Sequence, residues 1–405
     1  MNKAPKLRFK EFSGDWECKC LEDLFSFKNG LNKEKEFFGK GTPIVNFTDV
    51  YKNRGLRSED IKGLVEVNEK ELLNYNVTKG DVFFTRTSET IDDIGMSSVI
   101  LDEVENTVFS GFVLRARPKN DILSDGFKKY CFSTFNARKE IVTKSSFTTR
   151  ALTSGTLLNG VEINYPSKEE QEKIASLFSL IDDKISLQGQ KVEYLKDYKR
   201  GMMQKIFGRE LRFKDDEGRD YPEWEEKKFK DFTKINQGLQ IPISERYTTE
   251  GDNRYFYITN EFLKSDSETK YYIENPSESV ICYEDDILMT RTGNTGKVVT
   301  GVKGAFHNNF FKIAYDKEKY DRMFLYYILT SHKMQKNIIR LAGSSTIPDL
   351  NHSDFYNIKV KLPIIEEQKK IADLLIRLDS KISKEQEKLD SLNEYKKGLL
   401  QQMFV

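Results

Sequence analysis

PSKEEQEKIASLFSLIDDKISLQGQKVEYLKDYKRGMMQKIF, residues 166–207, is a charged stretch with an apolar seam, and the chain contains it twice. Residues 363–404 read PIIEEQKKIADLLIRLDSKISKEQEKLDSLNEYKKGLLQQMF and align with the first copy without a gap, at an offset of 363 − 166 = 197. The proline, Glu-Glu-Gln, Lys-Ile-Ala, Asp-x-Lys-Ile-Ser, Tyr-Lys-x-Gly and the final phenylalanine recur in register. An internal repeat has to be settled before anything else is read. In the first copy Ile181, Ile185, Val192, Leu195, Met202 and Ile206 follow a 4-3 spacing, interrupted by polar Gln188 and Lys199. In the second, Leu378, Ile382, Leu389, Leu392, Leu399 and Met403 do the same, interrupted by Glu385 and Lys396. A seam that repeats every 3.5 residues buries itself against another helix, and polar steps in it fix register and partner. The simplest geometry packs the two copies antiparallel on each other. Ser167 and Glu170 read as a capping box behind Pro166, and Gly208 as a stop. A helix of about 40 residues is about 60 Å long. The alternative, two amphipathic helices inside one globular core, is disfavoured because the flanking faces are charged for their whole length.

The 405 residues exceed one typical core and imply two or more domains. Lys and Arg number 65 against 64 Asp and Glu, which argues against a globally basic nucleic-acid binder and leaves room for local basic patches. Cys18, Cys20, Cys131 and Cys282 form no Cys-x-x-Cys pair, and with three histidines no zinc site is expected. The start, MNKAPKLRFKEF, lacks the apolar region of a signal peptide, and no run has the length of a membrane span. A soluble, reducing, cytoplasmic setting is expected.

The repeat reaches beyond the helices. Leu7-Arg8-Phe9-Lys10 returns as Leu211-Arg212-Phe213-Lys214, Trp16-Glu17 as Trp224-Glu225, and Asn29-Gly30-Leu31 as Gln237-Gly238-Leu239. Thr85-Arg86-Thr87 returns as Thr290-Arg291-Thr292. Each half is therefore one module followed by one long helix: residues 1–165 and 166–208, then 209–362 and 363–405. Between the anchors the modules differ strongly, as two readers of different targets would. The fold class is α+β, with short strands expected at Val82–Phe84, Thr107–Ala116, Tyr255–Ile258 and Ile287–Met289. Alternation at Val161–Tyr165 and Ile358–Leu362 predicts half-buried strands feeding the long helices. Helices Phe127–Val142 and Met323–Leu341 each precede a polar loop, Ser145–Arg150 and Ala342–Thr346.

This order of modules resembles the specificity (S) subunits of type I restriction–modification systems, over essentially the whole chain. The residues that carry the resemblance are Pro166 with Glu169-Glu170-Gln171, Pro363 with Glu366-Glu367-Gln368, Leu211–Lys214 with Pro222–Glu225, and the two Thr-Arg-Thr strand ends. The halves depart where Thr148-Thr149-Arg150 and Ser154-Gly155-Thr156 stand against Gly343-Ser344-Ser345-Thr346. The resemblance implies two pseudo-repeated target-recognition domains separated by two long helices packed as an antiparallel coiled coil. It implies double-stranded DNA, two methyltransferase (M) subunits and restriction (R) subunits as partners. It also implies no cofactor in this chain, with S-adenosylmethionine in the M subunits and ATP and magnesium in the R subunits.

The chain shows no catalytic constellation of its own. Asn275-Pro276-Ser277 lacks the second proline of a methyltransferase tetrapeptide. Gly293-Asn-Thr-Gly296-Lys297 has the wrong spacing for a phosphate loop, with Val298 where Ser or Thr would hold the metal. The pairs Asp182-Asp183 and Asp285-Asp286 read as solvated faces or turns. For DNA, an arginine forks onto guanine or clamps a phosphate. Arg86 and Arg291 are shared by both modules, so they cannot distinguish two targets; a phosphate contact or a structural ion pair fits them. Base readout falls to what differs: Ser88, Glu89 and Arg150 in the first module, Asn294, Ser344 and Ser345 in the second, with Thr87, Thr149, Thr292 and Thr346 beside them. A protein-interaction scaffold and a self-contained nuclease or methyltransferase are the competing readings; salt-insensitive partner binding without DNA retention, or catalysis by the chain alone, would separate them.

Overall fold

The computed structural model describes residues 4–264, 269–343 and 348–405. The chain forms two compact units, Met1–Gly189 with Glu387–Val405, and Gln190–Gln386. In the first, β1 (Glu17–Cys20) pairs antiparallel with β13 (Glu162–Tyr165), the strand that leads into the first long helix. A five-stranded sheet has the order β2 (Phe25–Asn29), β10 (Val113–Pro118), β6 (Val82–Thr85), β8 (Ser97–Ile100), β4 (Gly55–Leu56). Beside it β5 (Gly63–Val65), β3 (Phe38–Val45) and β9 (Val108–Phe109) form a second sheet, with β3 and β9 parallel. A small ribbon joins β11 (Ser146–Phe147), β12 (Ala151–Leu152) and β7 (Thr87–Ser88).

The second unit repeats this plan. β14 (Glu225–Lys228) pairs with β23 (Lys359–Leu362). The main sheet runs β15 (Thr233–Gln237), β22 (Phe310–Tyr315), β19 (Ile287–Thr290), β20 (Val298–Thr300). A second sheet runs β17 (Tyr272–Glu274), β16 (Arg254–Ile258), β21 (Gly304–Phe306), β18 (Ile281–Cys282), with β16 and β21 parallel. All four residues of β6 and of β19 are buried, which explains their unbroken apolar runs rather than alternation.

Three of the expected helix and strand spans need correction. Phe127–Val142 is two helices, Asp125–Cys131 and Phe135–Lys144, because the Thr134 hydroxyl accepts from the Ala137 amide at 3.3 Å and starts a new helix. Met323–Leu341 likewise divides into Arg322–Thr330 and His332–Ala342 at Ser331. The strand Thr107–Ala116 breaks between β9 and β10, where Gly30 approaches: a Cβ on Gly30 would stand 2.1 Å from the Ser110 carbonyl oxygen. Gly238 meets the His307 carbonyl in the same way, at 2.4 Å, so the recurrence of this glycine has a steric cause. Gly30→Ala is therefore expected to force a backbone shift and cost about 1–3 kcal/mol, read as a lowered urea midpoint.

The repeated motifs tie each long helix to its own module. Gln171 is buried; its amide donates to the carbonyls of Pro166 (3.0 Å) and Ile122 (2.9 Å), and its carbonyl accepts from the Ser124 amide at 2.9 Å. Gln368 makes the matching bonds to Pro363 and Asp321 at 2.9 Å each. Ser124 and Asp321 cap the following helices, so one glutamine side chain fixes two helix starts. The Arg8 guanidinium grips Glu170 with two bonds of 2.8 and 2.7 Å, and Arg212 grips Glu367 at 3.3 and 2.9 Å. This diverts Glu170 from the expected capping box; Ser167 still accepts from the Glu170 amide at 3.4 Å.

The long helices are Lys168–Gly208 and Ile365–Met403. Within the first unit the start of the first helix runs antiparallel to the end of the second: Lys396 donates to Asp182 at 2.5 Å, and the Phe178 and Phe404 rings lie 5.9 Å apart. Within the second unit Lys199 donates to Asp379 at 2.5 Å and Lys191 pairs with Glu385 at 3.0 Å. Ile181, Val192, Leu195, Ile206, Leu399 and Met403 are buried. Ile185, Met202, Leu378, Ile382, Leu389 and Leu392 are half-buried. Asp182, expected on a solvated face, is instead the acceptor of Lys129 (2.7 Å), Tyr130 (2.8 Å) and Lys396. Burial pushes its carboxyl up, but the two ammonium groups more than offset this and hold it below the usual carboxylate range. Asp379 receives Tyr327 (2.7 Å) and Lys199 in the same arrangement. The two polar seam lysines thus each close the other helix's Asp–Tyr pair, one per unit.

Candidate nucleic-acid interface

In the first unit the loop leaving β6 carries Arg86, β7 carries Thr87 and Ser88, and Glu89 follows, exposed. The expected polar loop Ser145–Arg150 is a hairpin instead: β11 and β12 pair, Thr148, Thr149 and Arg150 form its exposed tip, and β12 pairs onto β7. Two stretches about sixty residues apart in sequence therefore meet, and Arg150 Nη2 lies 3.1 Å from Glu89 Oε1. Arg86 turns inward. Its Nη1 donates to the Gly111 carbonyl at 2.9 Å, and its backbone amide and carbonyl bond Phe112 and Thr153. The connection after Glu89 is pinned by Arg138, whose guanidinium donates to the carbonyls of Asp92 (2.8 Å), Ile94 (2.5 Å) and Gly95 (2.8 Å).

In the second unit Arg291, Thr292 and Asn294 occupy the connection from β19 to β20. Arg291 forks onto Asp349, Nε to Oδ1 at 3.1 Å and Nη2 to Oδ2 at 2.8 Å. This hydrogen bond raises the guanidinium's pKa further. Thr292 bridges Asp349 through the backbone, and the side chain of Asn294 is exposed while its carbonyl accepts from Thr290 Oγ1 at 2.5 Å. Ser344, Ser345 and Thr346 lie outside the described residues. Sequence reasoning missed Arg138 and Asp349. Both act through partners 43 or more positions away, which leaves no local signal. Among the described residues no group of three His, Cys, Asp or Glu side chains is arranged to hold a metal ion, and no helix is long and apolar enough to cross a membrane.

The two units share one plan, and each carries a strand-end loop whose exposed side chains differ. The sequence matches the type I restriction modification DNA specificity domain over residues 13–197 and 221–394, and the chain belongs to that family. It is 24% identical over 427 residues to the type I restriction enzyme MjaVIII specificity subunit of Methanocaldococcus jannaschii, covering 97% of this chain and 94% of that one. It is 23% identical to the MjaIX specificity subunit of the same organism, covering 95% and 92%. The fold matches the S subunit of a type I restriction-modification system from M. genitalium with a TM-score of 0.57, at 17% identity and 99% coverage of both chains. A second solved chain, from work on assembly of a type I R-M system, matches with a TM-score of 0.61 at 14% identity, over 95% of this chain and 96% of that one.

Proposed function

We propose that this chain is the non-catalytic DNA-specificity subunit of a cytoplasmic type I restriction–modification complex. Residues 1–165 and 209–362 serve as target-recognition domains, each reading one half of an asymmetric two-part site. The helical stretches 166–208 and 363–405 serve as spacer and as docking surface for two methyltransferase subunits, to which restriction subunits add. S-adenosylmethionine, ATP and magnesium belong to those partners. The observation that carries this reading is the pairing of a repeated frame with unrepeated loop residues: Glu89 with Arg150 in one unit, Asn294 in the other. A scaffold for one partner would not need two different faces on one frame.

The test is an exchange. Replacing residues upstream of Pro166 with the first module of another family member is expected to change one half of the methylated motif and leave the other half intact. The donor module must keep its share of the aromatic bed for Phe404, Trp16 and Phe127, while Phe178 stays with the recipient helix. A folded, methylating hybrid with both halves altered would contradict modular reading, and a chain that binds its partners but retains no DNA would favour the scaffold.

Arg86 and Arg291 we assign to holding the reading loops, since each guanidinium is engaged within its own unit. Arg291→Ala is then expected to lower DNA affinity while leaving the slope of log K against log salt unchanged. A slope reduced by about one phosphate contact would return this residue to the backbone clamp.

A further inference from the structure

Glu89 and Arg150 are the two candidate readers that folding brings into contact, and both stay exposed: 77% and 65% of their side chains face solvent. An ion pair this exposed contributes little to stability. Both anchors are held by hydrogen bonds. The Glu89 loop is fastened by Arg138 to three carbonyls, by Ser88 Oγ accepting from the Thr90 amide at 3.2 Å, and by Thr90 Oγ1 donating to Asp93 at 2.8 Å. Arg150 sits at the tip of a hairpin registered onto β7 through Ala151 and Leu152. Two exposed side chains on hydrogen-bonded stems, touching at their ends, present donors and an acceptor side by side.

That is the complement of one base pair. On the major-groove edge guanine offers two acceptors, O6 and N7, to a forked arginine, and its paired cytosine offers the N4 amino donor to a carboxylate. We infer that Glu89 and Arg150 act as one reader of a single G·C pair, Arg150 on the guanine and Glu89 on the cytosine, with their mutual contact retained to hold the fork in plane. This rests on the reading of the first unit as a DNA-recognition module. The position matching Glu89, three residues after the repeated arginine, is Asn294 in the second unit, so the device belongs to the first half-site alone.

The experiment selects sequences from a randomised duplex library with the full-length chain in its methyltransferase complex, comparing the parent with Glu89→Gln, Arg150→Met and Arg150→Lys. The expected result is that all three relax the same single position of one half-site, a G·C pair in the parent motif, by on the order of 10- to 100-fold in preference, with every other position unchanged. Lysine fails to rescue because it cannot fork. Relaxation at two separate positions would show two independent readers and overturn the inference, as would weaker binding to all sequences with the motif intact. Parent selection of a two-part motif that all three variants reproduce would sink the pair while sparing the proposed function. A parent complex that selects no motif would sink both.

Discussion

Arg212→Ala is expected to destabilise the second unit by about 3–5 kcal/mol, among the largest effects of any single change outside the apolar cores. Glu367 is fully buried, and its carboxylate is held by Arg212 and by the Trp224 indole N–H at 3.1 Å. Without the guanidinium a buried charge is left with one neutral donor, and the cost is that of the uncompensated ion rather than of the lost bond. Removing both charges, as Arg212→Met with Glu367→Leu, should recover most of the loss. Hydrogen exchange during urea titration is the measurement, because it assigns the opening to residues 190–386. A single substitution that changes stability by less than about 1 kcal/mol, the range of exposed pairs, would mean that solvent reaches Glu367.

Phe404→Ala is expected to cost about 3–5 kcal/mol, and to cost it at the other end of the chain. The ring, 8% exposed, lies 5.4 Å from Phe127, 5.9 Å from Phe178 and 6.0 Å from Trp16. Beside it Leu399 and Met403 join the same core. Amides of β1, β13 and the helix Asp125–Cys131 should lose exchange protection while those of β14 and β23 keep theirs. Equal loss in both units would show that the units do not unfold separately.

Much of this was legible in the sequence because the repeat exposes its own constraints. Glycine at 30 and 238, glutamine at 171 and 368, and the arginine–glutamate pairs recur where a backbone approach, a double helix start and a buried charge require them. The seam followed from spacing, and its antiparallel sense from the simplest packing of two copies. What stayed hidden was set by tertiary contacts. Strands of two residues, such as β11 and β12, are too short for any period to register. Thr134 reads as an ordinary helical residue until its hydroxyl is seen to cap. Of the site, the sequence named Glu89 and Arg150 separately, and only the ladder from β12 to β7 makes them neighbours. Asp349 pairs with Arg291 across 58 positions, beyond any local pattern.

The inclusion of Glu387–Val405 in the first unit sets an order on the ribosome. Its first segment ends at Gly189 and its second begins at Glu387, so 386 − 189 = 197 residues are made between the two. At about 5–20 residues per second that is roughly 10–40 s. During that interval Trp16, Phe127 and Phe178 have emerged without Phe404 to cover them. The half of the protein translated earliest therefore waits for residues 387–405 before its core can be completed.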